Sequence, residues 1–308
     1  MKKTLFSFGA LATCTLVSCG VKNDNTGTAD DYKYTVVAPN GAPAIALANL
    51  DNKDDANTYN YISADVISAE FTGKNADFII APINAGAKLY KAKKSEYVFG
   101  GVVTWGNLYF ASYSEFALND LDGKTVTLFG EDTINSSVAR YVLEQNNINC
   151  NYEYLASAQN TIAAMGDGYV LTAEPMVTVT SIKSGKTIYT VNVQNELKTL
   201  LNQDYAYTQA GLFINPNTIK NHKSIVDDFI VELEESCSKI TTDLDNTAKN
   251  VSELGILPSE AIAMRAIPNC NVNFKNAESS KTYVENTANI DLSLFGGALP
   301  ADEFYYKK

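Results

Sequence analysis

A single histidine, His222, and only two arginines, Arg140 and Arg265, occur among 308 residues. That removes most imidazole chemistry: there is no HExxH pair or histidine cluster for zinc, and no Ser-His-Asp set to activate a serine. Ser236-Cys237-Ser238-Lys239 spells SxxK, but it falls in the middle of a helical stretch without partner groups, so it is no nucleophile. Cys150, Cys237 and Cys270 lack metal-ligand spacing, and they allow at most one internal disulfide whose pairing the spacing leaves open. Neither a catalytic centre nor a metal or cofactor is expected.

What remains is recognition by loops at strand ends. Residues 34–38, YTVVA, read as a strand, followed by Pro39, Asn40, Gly41 and Ala42 and a helix over 44–50. Pro43 stands at or near that helix's first position, where a missing N–H costs nothing. The free N–H groups of such a helix start can grip a ligand oxygen, although a plain structural turn fits the same residues. Residues 78–81, FIIA, are wholly apolar and end in Pro82, as in a strand buried on both faces of a parallel sheet. Ligands of open parallel sheets sit beyond the carboxyl ends of the strands, which puts Pro82 and Asn84 beside one.

The elements that position these loops follow in order. A strand over 59–63, a short helix over 65–71 closed by Gly73, and the strand at 78–81 give a βαβαβ order and a right-handed parallel sheet. A turn over 82–86 and a helix over 87–92 come next. The β-rich run 97–112 is too long for one ordinary strand, and Trp105-Gly106-Asn107 interrupts it. It reads as a strand leaving one domain for another, which makes the run a hinge candidate, with Thr104 and Trp105 counted among the expected ligand-binding residues. After a strand over 125–129, Gly130, Glu131, Asp132 and Thr133 lead into a helix with Ile134, Val138 and Val142 on one face and Asp132 or Thr133 as cap. Strands over 152–155, 169–172 and 187–191, with short helices at 159–165 and 197–201, complete a second lobe. Residues 205–214 are long enough to cross back, with Tyr205 and Tyr207 on one face. From 217 the chain turns helical, with Ile225, Phe229, Leu233, Cys237 and Ile240 in a stripe and a further short helix ending near Arg265. Lobe 1 thus comprises 32–107 and 212–308, and lobe 2 comprises 108–211.

Composition agrees with two packed cores: 45% of residues are hydrophobic. A net charge of −11 argues against a nucleic-acid partner, whose phosphates need a basic face, and fits a solvated surface. At the N-terminus, Lys2 and Lys3 precede the apolar run 5–17, too short to span a membrane and suited to a secretory signal over 1–18. Leu16-Val17-Ser18-Cys19 fits the bacterial lipobox, in which the cysteine receives diacylglycerol and palmitate-type acyl chains. Cys14 follows Thr13, where a smaller residue is preferred, so Cys19 is the expected lipidation site. An ordinary signal peptide with an incidental cysteine is the competing reading. Residues 19–31 are polar and read as a lipidated tether.

Taken together, ADFIIAP with INAG, VVTWGNLYFAS, LDGKTVTLFGEDTINSSVARYVLEQNNI, TAEPMVT and the closing LPADEFYY resemble the extracytoplasmic substrate-binding proteins of ABC importers. The resemblance is to the type II group that handles thiamine precursors, sulfonates and nitrate, and it spreads over most of the mature chain. It implies an α/β, two-lobe type II periplasmic-binding-protein-like fold with two hinge strands. It also implies a small-molecule ligand, an ABC permease as partner, a monomeric state, no cofactor, and a place on the extracytoplasmic face of the cell membrane. In that family the turn from Gly130 to Thr133 is the second lobe's main ligand contact, facing Pro39 to Ala42, and the Glu174-Pro175 pair lines the cleft. The residues alone equally let Glu174 cap its own helix.

Glu131 and Asp132 would repel an anion, and neither arginine is placed to receive one, so a neutral or weakly basic heterocycle is expected. Trp105, Tyr109 or Tyr205 would stack on it, with hinge packing as the competing role for Trp105. Two other functions stay open: an enzyme on the same fold acting on a small metabolite, and a surface adhesin lipoprotein.

Overall fold

The computed structural model describes residues 32–54 and 56–308; the expected signal peptide, Cys19 and the tether therefore lie outside the described residues. In chain order, β1 (Thr35–Pro39), β2 (Thr58–Ile62), β3 (Phe78–Pro82) and β4 (Val98–Thr104) precede β5 (Leu108–Ser112), β6 (Thr125–Phe129) and β7 (Asn151–Leu155). Then come β8 (Tyr169–Ala173), β9 (Tyr189–Asn192), β10 (Ala210–Ile214) and β11 (Val272–Asn276). They form a six-stranded sheet of order β11-β4-β10-β3-β1-β2 and a five-stranded sheet of order β7-β6-β8-β5-β9. β2, β1 and β3 are parallel, as the βαβαβ order predicts, and β10 enters antiparallel between β3 and β4. In the second sheet β7, β6 and β8 are parallel, while β5 runs antiparallel to β8 and β9.

The apolar run in β3 is explained by two cores. Phe78 and Ile80 face a core shared with Val36, Ala38 and Phe229, whereas Ile79 and Ala81 face another with Val37, Phe99 and Phe213. Phe78 stacks on Phe229 of the helix Lys223–Thr242 with ring centroids 3.8 Å apart. Losing either ring would cost about 3–5 kcal/mol. That helix buries Phe229, Leu233, Cys237 and Ile240 as the stripe predicts, but Val226 is fully buried where Ile225 is only half-buried. The closing LPADEFYY packs on lobe 1: Phe304 stacks on Phe99 at 5.5 Å and Tyr306 N donates to Phe99 O at 2.8 Å.

Several boundaries differ from expectation. Residues 97–112 split into β4 and β5, one in each sheet, with Trp105 to Asn107 between them. Helix begins at once after β3, as Ile83–Lys91, because Ile83 N finds Gln209 O at 3.1 Å and the chain needs no intervening turn. The expected helix over 44–50 is two short ones, Ala42–Ile45 and Ala48–Asp51. Lys74, not Gly73, takes the left-handed position (φ 56°) that ends Glu70–Gly73. Only Ala210–Ile214 of the stretch 205–214 is strand, since Thr208 N donates to the Thr287 hydroxyl (2.9 Å) rather than to a neighbouring strand. β11 and the helix Ala277–Ile290 lie in a region read from the sequence without them. Their patterns are weak: β11 alternates Val272 and Phe274 with Asn273 and Lys275 over few residues, and the helix is largely polar.

Candidate ligand-binding site

The strand registers bring the expected loops to one edge of each sheet. Extending the β1–β3 register (Val36 with Phe78) sets Pro39 level with Ala81, beside Pro82. Ala210 pairs with Pro82 on one side and with Thr104 on the other, so the carboxyl ends of β3 and β4 flank the returning chain. In the second sheet the β6–β8 register (Val126 with Tyr169) sets Gly130 level with Ala173, next to Glu174. β5 starts at that same edge, with Leu108 opposite Ala173. The connection Trp105 to Asn107 therefore joins the carboxyl edge of one sheet to the carboxyl edge of the other.

A network of amides and hydroxyls spans the junction. Gln209 N donates to Thr104 O (3.0 Å), and the Gln209 amide donates to Asn107 Oδ1 (2.9 Å) and Asn135 Oδ1 (3.3 Å). Thr104 Oγ1 donates to Gln209 Oε1 (3.3 Å), and Tyr207 OH donates to Asn135 Oδ1 (2.8 Å). Asn107 O receives Glu174 N (3.0 Å), while the Asn107 amide donates to Glu174 O. Thr104, Glu174 and the neighbours of Pro82 are thereby linked. Asn107, Asn135, Tyr207 and Gln209 were not among the expected site residues. Their signal was adjacency alone: Asn107 ends the hinge tripeptide, Asn135 follows Thr133 closely, and Gln209 precedes β10.

Gly130 adopts φ +66°, and Thr133 occupies the cap position of helix Ile134–Gln145. Its hydroxyl turns back to Gly130 O (2.8 Å), so neither it nor Asp132 caps and no side chain closes this helix start. Glu131 and Asp132 are exposed beside it. An uncapped start leaves backbone N–H groups for solvent or a ligand. Across the junction, Asn84 lies in the first turn of Ile83–Lys91, and its Oδ1 is enclosed without a hydrogen-bond partner. An enclosed orphan acceptor costs roughly 1–3 kcal/mol unless something donates to it. Pro39 and Ala42 are buried and Asn40 is exposed, its N–H donating to Ile62 O (2.9 Å); Gly41 holds φ +101° ahead of Ala42–Ile45.

Glu174 is 5% exposed, and its carboxyl accepts from Thr178 N (3.2 Å) and Thr178 Oγ1 (2.8 Å). This is the helix-capping role. Burial raises its pKa above the usual 4.5 despite those bonds. Trp105 and Tyr205 depart from the expected stacking on a ligand, because they pack against each other at a tilt of 40°. Trp105 is 3% exposed, its ring 4.2 Å from that of Tyr205 and edge-on to Tyr283 (5.3 Å), and its Nε1 donates to Asn273 O (2.8 Å). Both are hinge packing. Tyr109 is 7% exposed, and its hydroxyl reaches Asn269 O of the other lobe at 3.3 Å; burial raises its pKa.

The remaining reactive groups are structural. Arg140 is committed to Tyr154 OH and Ser137 Oγ, each at 3.3 Å. Ser137 in turn donates to Asp291 Oδ2 (2.8 Å), so the cluster ties the helix Ile134–Gln145 to the chain after Ala277–Ile290. Ser236 donates to Ala46 O, as befits a buried packing residue, and Cys150, Cys237 and Cys270 are free thiols.

No protein-family model matches the chain, and no curated protein matches it by sequence. Solved structures do. An ABC transporter protein from Parabacteroides distasonis superposes with a TM-score of 0.75 at 20% identity, covering 90% of this chain and 99% of that one. The periplasmic aliphatic sulphonate binding protein of Escherichia coli gives 0.68 at 13% identity, over 89% and 92% of the two chains. The alkanesulfonate-binding protein from Xanthomonas axonopodis pv. citri, bound to MOPS, gives 0.63 at 12%, over 88% and 95%. The fold is that of a two-lobe, type II periplasmic binding protein. The residues 105–107 and the stretch ahead of Ala210 are the two crossings between the sheets. Among the described residues, no helix is long and apolar enough to cross a membrane.

Proposed function

We propose that the chain is the extracytoplasmic solute-binding component of an ABC importer, a monomer held at the cell membrane by a lipid on Cys19. Its lobes, 32–107 with 212–308 and 108–211, close on one small ligand and present the closed form to the permease. What supports this reading is an enclosed, unpartnered acceptor on Asn84 at the strand-end edge of one sheet and an uncapped helix start at Ile134 at that of the other, with Gln209 bonded to both Ile83 and Asn135. Pro39 to Ala42, Pro82, Thr104, Gly130 to Thr133 and Glu174 complete the lining, with Asn107 and Asn135 added to them. Trp105 and Tyr205 serve as the hinge cluster and feel closure indirectly.

The groups gathered there are amides, hydroxyls and carboxylates, and Asn84 Oδ1 asks for a donor. A neutral or weakly basic heterocycle bearing N–H groups meets those demands, whereas two of the three neighbours named above are described as binding sulphonates. Mass spectrometry of small molecules co-purifying with the native protein tests the ligand: an aliphatic sulfonate recovered in stoichiometric amount would overturn this assignment. Trp105 fluorescence tests closure. An unchanged spectrum across a broad panel of metabolites, with none retained on purification, would leave the adhesin reading instead. Cys19→Ala is expected to move the protein from membrane to soluble fractions, and retention at the membrane would refute the anchor.

A further inference from the structure

A cavity of about 670 Å³ lies between the residues around the end of helix Ile83–Lys91 and the C-terminal segment 295–304, away from the strand-end loops of the proposed site. The helix starts at the carboxyl end of β3, so Lys91 and the turn after it come down at the opposite edge of the first sheet. The rim carries Lys74, Lys91, Lys93 and Lys94, all exposed, in a protein whose net charge is −11. Lys74 pairs with Glu96 at 2.5 Å. Lys91, Lys93 and Lys94 make no ion pair among the described residues, and the nearby Asp302 is taken by Lys281 at 2.5 Å. Ala87, Tyr90, Phe295 and Phe304 form an apolar wall, Ser95 and the Lys74-paired Glu96 also line the cavity, and Leu299 stands 41% exposed beside Pro300. Three uncommitted ammonium groups over an apolar wall match one kind of molecule in both charge and polarity.

We propose that this cavity binds a small acid with an apolar body, an alkyl or aryl phosphate, sulfonate or carboxylate, taken from solution. The acid head sits among Lys91, Lys93 and Lys94, and the body lies along Tyr90 and Leu299. The site is independent of whatever occupies the cleft.

The test is calorimetric titration of the mature chain without its signal segment and lipid site, residues 20–308, which needs no detergent, with octyl phosphate. Octyl phosphate is expected to bind at one site, with inorganic phosphate and octyl glucoside each weaker, because each offers only half of the match. The triple substitution Lys91→Ser, Lys93→Ser, Lys94→Ser is expected to weaken binding roughly tenfold, as loss of exposed charge contacts does. The corresponding triple arginine variant restores it, and raised salt weakens it. Thermal unfolding unchanged from the parent shows that the serine variant is folded. A serine variant that binds octyl phosphate like the parent, octyl glucoside binding as tightly as octyl phosphate, or binding only to phosphatidylglycerol vesicles would each overturn the proposal.

Discussion

Gly106→Ala probes the hinge directly. Gly106 sits at φ +80° between β4 and β5, and a Cβ there would lie 2.7 Å from Tyr207 Cδ1 and closer still to Cε1. Tyr207 cannot retreat, since it is fully buried and its hydroxyl donates to Asn135 on the opposite lobe. Gly106 O is also held by the Asn271 amide at 2.7 Å, which resists movement of the backbone. A left-handed conformation costs a residue with Cβ roughly 1–2 kcal/mol. Overpacking a filled core adds about 1–3 kcal/mol. The expected loss is therefore about 2–5 kcal/mol in urea unfolding, accompanied by a changed Trp105 emission from the adjoining cluster. Gly123→Ala is the control: it shares the positive φ (+70°) but opens onto empty space, so it should cost only the backbone part, roughly 1–2 kcal/mol. If Gly106→Ala proves no more damaging than Gly123→Ala, the clash with Tyr207 is not real and the rigid floor between the lobes is refuted.

Asn84→Ala should leave stability unchanged or slightly higher, since it removes an enclosed orphan acceptor, while weakening the cleft ligand by about 1–2 kcal/mol; equal ligand affinity in titration calorimetry would remove Asn84 from the site. Glu174 has a raised folded-state pKa, so its stabilising contribution is present below its unfolded value, near 4.5, and is lost as pH rises through the folded one. Glu174→Gln should consequently raise the melting temperature at neutral pH and flatten its decline above about pH 4.5; a variant that melts lower at pH 7 contradicts this. Asp291 works in the opposite sense. Burial raises its pKa, but hydrogen bonds from Ser293 and Ser137 and the charge of Arg140 outweigh burial and hold it below the usual 3.8. Asp291→Asn should therefore remove stability that the parent keeps above about pH 4 and loses on acidification, an effect visible in unfolding midpoints compared at pH 7 and pH 3. Among the described thiols, only Cys150 should react with a bulky thiol reagent in the native state, because Cys237 and Cys270 are buried; prompt modification of either would show the core around helix Lys223–Thr242 to be open.

Local pattern alone determined much of this architecture. The apolar run of β3, the interruption at Trp105 to Asn107, the stripe through Phe229 and Leu233, and the glycine turn ahead of Ile134 are period and turn signals that survive without tertiary context, because each is set by how neighbouring residues share a face or a dihedral. The strand ends carrying Pro82, Thr104, Gly130 and Glu174 were legible for the same reason, since a parallel sheet places its strand ends together. Tertiary packing decided the rest. An indole or phenol is equally suited to a ligand and to another ring, and only the approach of Tyr283 and Asn273 from distant parts of the chain commits Trp105 and Tyr205 to the hinge. Likewise, Asn107, Asn135 and Gln209 are ordinary polar residues by type, and they become one network only when two crossings lay them side by side. The lysines after residue 90 gain an apolar wall opposite them only because residues 295–304 fold back.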